Sequence, residues 1–217
     1  MMETTRRERA RAATMAEIKQ TALGLMREQG TTDVRFTDIA RVMGLTPPAL
    51  YRYYSDSHEL YTDMITDGYH DLAAALAVAV RAQEPSEPAA HLLLVAQAYR
   101  EWVQADRQRF TLIFGLPIPG YAAPEEGPTV EAAQRAMANL AEVVHRAAAT
   151  GVLGRPLVTE VDPKLEAAMR EDQKTGAVAG ELDPATYQAM MHAWAPLHGF
   201  GCHEAYGHQD WVPAEAR

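Results

Sequence analysis

Apolar residues return every three or four positions through most of the chain, the spacing of helices that bury one face. Met15, Ile18, Ala22 and Leu25 predict a first helix over about residues 10–29, with Gly30 as its C-terminal cap. Ile39, Ala40 and Met43 stripe a short second helix over residues 37–43, capped by Thr37 and carrying Asp38 at its positive end. Gly44 ends it. Pro47 and Pro48 have no N–H to donate and a fixed φ, so they fit a turn or the first positions of a third helix. In that helix Leu50 and Tyr54 face inward, which leaves Ala49, Arg52 and Tyr53 outward. Asp56 or Ser57 caps a long fourth helix from His58 to about Gln83, with Leu60, Met64, Leu72, Leu76 and Val80 on one side. EPSEP, residues 84–88, cannot continue it.

The remainder reads as helix again. Leu92, Val95, Tyr99 and Trp102 stripe residues 89–105, and Asp106 opens a short helix to about Phe114. The Pro- and Gly-rich stretch GLPIPGYAAPEEGP is long enough to be a mobile loop. Val130, Ala133, Met137, Leu140 and Val144 mark a helix over residues 129–150, and a weaker one covers 163–175. Asp183 and Pro184 open the last helix, where Met190, Met191, Trp194 and Leu197 cluster and Pro196 predicts a kink. The pattern is all-α, with about nine helices and no strand or repeat.

Residues 35–60, RFTDIARVMGLTPPALYRYYSDSHEL, have the layout of a helix-turn-helix: Ala40 is small enough for the next helix to cross closely, and Gly44 stands at the turn. An outward helix start bearing a small residue, an arginine and two tyrosines suits a DNA major groove. Ile39, Ala40, Gly44, Leu50, Tyr51, Tyr53, Tyr54, Glu59 and Leu60 together resemble the signature of the tetracycline-repressor (TetR) family of transcriptional regulators, over about residues 12–65. Beyond that stretch the likeness lies in helical layout and length, and Trp194, His198 and Gly199 resemble the WHG-type C-terminal segment of some members.

The resemblance implies a helix-turn-helix DNA-binding domain over residues 1–57 and an effector-binding and dimerisation domain over 58–217. It implies a homodimer on a palindromic double-stranded operator, paired through the last two helices, about residues 163–176 and 184–206. By the same resemblance Tyr51 and Tyr53 meet phosphates, while Pro48, Ala49 and Arg52 approach bases, with Thr46 and Pro47 beside them; only Arg52 here can read a guanine bidentately. Thr37 is placed to hold a phosphate with its hydroxyl. At Ser57 the family often has a lysine, so that contact weakens here and the dependence on salt should be shallower. The family binds small effectors between its C-terminal helices, which makes Tyr99, Trp102, Phe110, Phe114, Met137, Met169, Met190 and Trp194 candidate lining for an apolar or aromatic effector, with His145 and His198 as polar handles. A core made of the same residues is the plainer reading of that list.

Charge modifies this picture. The net charge is -9, which looks wrong for a phosphate binder, yet residues 1–60 hold 9 Lys and Arg against 8 Asp and Glu, and the rest 11 against 21. Arg6, Arg7, Arg9 and Arg11 form a basic N-terminal arm that could reach a groove or a phosphate, or simply fray in solvent. The single cysteine, Cys202, excludes an internal disulfide and fits a reducing cytoplasm; no run approaches the roughly 18 apolar residues of a membrane span, and the charged start lacks a signal peptide's apolar core. A cytoplasmic protein is expected. His198 and Cys202 lie four apart, as ligands can, but two residues fall short of the four a structural zinc takes, so no metal or cofactor is expected. No nucleophile elbow or phosphate loop is present, and an enzyme is not expected. The competing classes are an effector-binding protein of the same fold with little specific DNA binding, and a metal-responsive sensor.

Overall fold

The computed structural model describes residues 5–81, 88–175 and 182–213. Their regular structure is entirely helical: α1 (Arg6–Gln29), α2 (Phe36–Val42), α3 (Pro47–Leu50), α4 (Ser57–Arg81), α5 (Pro88–Ala105), α6 (Arg107–Phe114), α7 (Pro128–Ala149), α8 (Pro163–Thr175) and α9 (Pro184–Ala205). The expected stop of α4 near Gln83 lies outside the described residues. Two compact units divide the chain, Met1–Gly68 with Gln108–Thr129, and Tyr69–Arg107 with Val130–Arg217.

In the first unit α1 starts four residues earlier than its apolar stripe suggests. Thr5 and Glu8 form a reciprocal capping box, each side chain accepting from the other's backbone N–H, so Arg6, Arg7, Arg9 and Arg11 are helical rather than a loose arm. Gly30 adopts φ 64° and closes the helix onto Met26. α2 begins at Phe36, with Arg35 as a cap that makes no side-chain bond, so Thr37 lies inside the first turn and is not the cap. Phe36 is buried, and the helix starts one residue early to place it there. Gly44 at φ 66° then reverses the chain, letting Leu45 N–H reach Ala40 carbonyl at 2.8 Å.

Ile18, Met26, Ile39, Ala40, Leu50, Tyr54 and Leu60 are almost fully enclosed and form the centre of this unit. Tyr61 anchors the segment before α2, accepting from Val34 N–H at 3.1 Å. Asp56 caps α4 by accepting from Glu59 N–H at 2.9 Å, which puts Ser57 at the first helical position rather than the cap. α6 meets α4 at Gly68, where a Cβ would stand 2.8 Å from Ile113 Cγ2. The segment after α6 is tied down in part: Ile118 is buried, and Tyr121 packs edge-on against His58 and Tyr61 with its hydroxyl 3.1 Å from Thr62 Oγ1.

In the second unit Leu72, Leu76, Val80, Val95, Tyr99 and Val103 are enclosed, and Gly201 lets α9 approach Tyr99 and Val103 of α5 closely. His91 is buried where the sequence stripe ran through Leu92, with Nε2 3.2 Å from Ala79 carbonyl. On α7 the enclosed residues are Ala132, Ala136, Ala141, Val143 and Ala147, while Val130, Ala133, Met137, Leu140 and Val144 are half-buried. Periodicity located the helix but chose the neighbouring face, because small alanines pack inward and the bulkier residues sit beside them. Asp183 caps α9 through Ala185 and Thr186 N–H. Met169, Leu182 and Tyr187 form a separate small core with Met190 against it; Met191 is exposed and leaves the expected cluster.

Candidate nucleic-acid interface

The helical periodicity expected to run to Tyr54 stops at Leu50. α3 has four residues, and Tyr51, Arg52 and Tyr53 form a turn in which Tyr53 and Tyr54 N–H both reach Leu50 carbonyl, at 2.8 and 3.1 Å. Two prolines shorten the ladder from the front, and Thr46, the cap residue, makes no side-chain bond. The inward pair is as expected: Leu50 and Tyr54 are each 1% exposed. Outward stand Pro48, Tyr51 and Arg52, all exposed, with Pro47, Ala49 and Tyr53 half-buried. Thr37, Thr46, Arg6 and Arg7 are also exposed, and Ser57 is half-buried.

Several of these side chains are positioned by something beneath them. Tyr51 leans on Phe36 of α2, ring centroids 5.2 Å apart. The Tyr54 hydroxyl donates to Asp63 Oδ2 at 2.6 Å; burial, and then Asp63, push its pKa well up. Asp63 in turn takes the Lys19 ammonium at 3.2 Å, which also holds Asp67 at 2.5 Å. Burial alone would lower the Lys19 pKa, but the two carboxylates raise it, so the cation bracing α1 to α4 stays charged. Arg11 belongs to the basic arm by sequence, but in the fold its guanidinium donates to the backbone carbonyls of Arg52 and Tyr53.

The aromatic residues expected to line an effector site divide. Tyr99, Trp102, Trp194 and His198 come together in the second unit: Tyr99 packs edge-on to Trp194 at 5.0 Å, and Trp194 stacks on His198 at 5.3 Å. Phe110 and Phe114 pack on each other in the first unit instead, and Met169 and Met190 belong to the separate core. Met137 and His145 are half-buried on α7. The two histidines differ. His198 has the Tyr99 hydroxyl 2.8 Å from Nδ1 and Cys202 Sγ 3.5 Å from Nε2, and burial lowers its pKa so that the ring is neutral. His145 Nδ1 is enclosed without a hydrogen-bond partner. Burial raises the Cys202 thiol pKa, and among the described residues no three His, Cys, Asp or Glu side chains gather as a metal would need. No described helix is long and apolar enough to cross a membrane.

The short turn between α2 and α3, its closed inner face and its exposed polar outer face define a helix-turn-helix protein with an all-helical second unit. The family described as tetracyclin repressor-like, C-terminal domain, matches residues 92–217, the stretch that holds Trp194, His198 and Gly199. The chain belongs to the TetR family. HTH-type transcriptional regulators of Mycobacterium bovis and Mycobacterium tuberculosis are 30% identical to it over 146 residues, 67% of this chain and 62% of theirs, so the chain spans less than two thirds of the relatives' length. A solved structure of a candidate regulatory protein superimposes with a TM-score of 0.73 at 30% identity, covering 94% of this chain and 90% of that one. A TetR family transcriptional regulator from Thermus thermophilus shares the fold, with a TM-score of 0.51 at 21% identity over 81% of this chain and 93% of its own.

Proposed function

We propose that the chain is a DNA-binding transcriptional regulator of the TetR family, acting as a homodimer on a palindromic operator and released by a small apolar or aromatic effector. One observation carries the DNA-binding part. Pro48, Tyr51 and Arg52 stand exposed on a segment whose other side, Leu50 and Tyr54, is locked in the core, so that side of the reading segment is anchored before DNA arrives. Arg52 then reads a base, and Tyr51 and Tyr53 position the turn on phosphates, with Thr37, Thr46 and Ser57 at neighbouring helix starts and Arg6 and Arg7 on the first turn of α1. The relatives' description as HTH-type transcriptional regulators supports the same reading.

A single reading turn grips little DNA, and two copies spaced by a helical turn or a multiple match a palindrome. α9 supports pairing by α8 and α9: Met191, Ala193, Ala195, Pro196 and Phe200 are exposed on a helix that is apolar on its other side as well. The effector belongs to the second unit, where Tyr99, Trp102, Trp194 and His198 come together; on α7 of the same unit His145 carries an enclosed, partnerless nitrogen that offers a polar contact. Binding there shifts a population toward the form with lower operator affinity. The functional division proposed is a DNA-binding part over residues 1–57 and an effector and dimer part over 58–217, in a cytoplasmic protein.

Fluorescence anisotropy on duplexes tiling the DNA beside its own gene, with competitor and a salt series, tests this. Tight, competitor-resistant binding to one tile is expected, weakened roughly 10- to 100-fold by Arg52→Ala with the dimer intact. Uniform weak binding to every tile, and to a random-duplex pool, would leave an effector-binding protein without sequence-specific DNA recognition.

A further inference from the structure

We propose that Arg11, 41 residues before the reading turn, is the positioning residue that gives that turn its sequence discrimination; this rests on the DNA-binding reading above. α3 cannot hold itself. Four residues close too few backbone bonds to offset the cost of starting a helix, and the carbonyls beyond its end have no following turn to bond. Arg11 reaches across from the second turn of α1 and supplies the missing donors: Nη1 to Arg52 carbonyl at 2.7 Å and Nη2 to Tyr53 carbonyl at 3.3 Å. Its guanidinium also lies 5.3 Å from the Tyr53 ring centroid, within cation–π range. One side chain therefore fixes the backbone of both residues assigned to base and phosphate contact.

The chemistry is particular to arginine. A planar fork can bond two successive carbonyls while lying against an aromatic face, whereas a lysine ammonium is a compact point charge that cannot match the pair. Base readout depends on where the Arg52 side chain is aimed, and phosphate attraction depends mainly on charge. Losing the fork should then blur discrimination and leave sequence-blind affinity alone. A phosphate-contacting Arg11 behaves in the opposite way, since its removal weakens binding to every sequence and shallows the salt slope.

The test uses the full-length chain and a duplex selected by the wild type from a random pool, with a scrambled duplex as control. Anisotropy over a salt series gives both affinities for wild type, Arg11→Lys and Arg11→Ala, and amide hydrogen exchange without DNA reads the Tyr53 and Tyr54 N–H groups. Arg11→Lys is expected to keep scrambled-duplex affinity and salt slope within about twofold while the selected-to-scrambled ratio falls on the order of tenfold, the equivalent of one charge-assisted hydrogen bond. Arg11→Ala loses the same ratio, and both variants exchange Tyr53 and Tyr54 faster. A wild-type ratio in Arg11→Lys overturns the proposal, as does an equal loss on both duplexes with a shallower slope in Arg11→Ala. If the wild type selects no duplex, the DNA-binding reading itself has failed, and unchanged exchange in the variants then overturns the positioning as well.

Discussion

Glutamine in place of Glu204 should cost the second unit about 2–3 kcal/mol. Glu204 is 3% exposed and receives three donors, Arg100 Nε at 2.8 Å, Arg100 Nη2 at 2.6 Å and Gln104 Nε2 at 2.9 Å, so α5 and α9 are joined by a bidentate charged clamp. Breaking one side of a buried pair costs about 3–5 kcal/mol. The Arg100 side chain is 34% exposed and can regain some water, which places the loss at the lower end of that range or just below it. Glutamine has nearly the same shape but turns an amide donor toward donors. In urea the unfolding midpoint should fall by about 1 M, and the cycle with Arg100→Met should return a coupling of about 1–2 kcal/mol.

The same substitution has a pH signature. Hydrogen bonds from Arg100 hold the Glu204 carboxyl below its ordinary 4.5, against the opposing effect of burial, with Gln104 assisting. A carboxyl lowered in the folded state gives stability that is fully present above the unfolded value and is lost as pH falls through the folded one. The gap between wild type and Glu204→Gln should therefore be constant from pH 7 to about 5 and close below about 4.5. A cost under about 0.5 kcal/mol at pH 7, or a gap that does not narrow as the pH falls below about 4.5, would refute the clamp.

Other substitutions probe other joints. Tyr54→Phe removes the donor to Asp63 and should cost about 1 kcal/mol in urea unfolding, with Asp63→Asn costing a similar amount and the two together less than their sum. Gly68→Val forces a side chain into Ile113 and should destabilise by about 2 kcal/mol, visible as a lowered midpoint. His198, whose pKa is lowered by burial, contributes stability that is lost as pH falls below about 6.5; comparing unfolding at about pH 7.5 and 5 should show a loss in wild type that His198→Gln lacks. His145→Leu removes an enclosed nitrogen that has no partner, so it should leave stability unchanged or raise it by about 1 kcal/mol while weakening any effector that bonds there, measured by calorimetry.

The helix count and most of the inward residues were legible because period alone decides them. Leu60, Met64, Leu72, Leu76 and Val80 fall on one side of α4 by spacing, and all five are buried. Where two adjacent stripes are both apolar, spacing cannot choose between them. On α7 the alanines at 132, 136 and 147 are enclosed while the bulkier Val130, Met137 and Leu140 are half-buried, a choice set by tertiary packing and not by hydropathy. Caps failed for a different reason. Thr37 has the right chemistry, but burying Phe36 outweighs a cap bond, so the helix began one residue sooner. Thr5 and Glu8 did spell a capping box, and that signal would have found the true start of α1.

The candidate site shows a deeper limit. Sequence reasoning finds which residues face outward from an element, but an outward residue is useful only if something fixes its direction, and that something usually comes from another element. Tyr51 is set by Phe36, Tyr54 by Asp63, and the backbone of Arg52 and Tyr53 by Arg11. Each of these pairs joins two different elements, so no helical period running along one element would flag it. The clearest rule available in advance is one of accounting. A four-residue helix opened by two prolines leaves carbonyls that must be satisfied from outside, and the exposed arginines at the start of the first helix were donors able to do it.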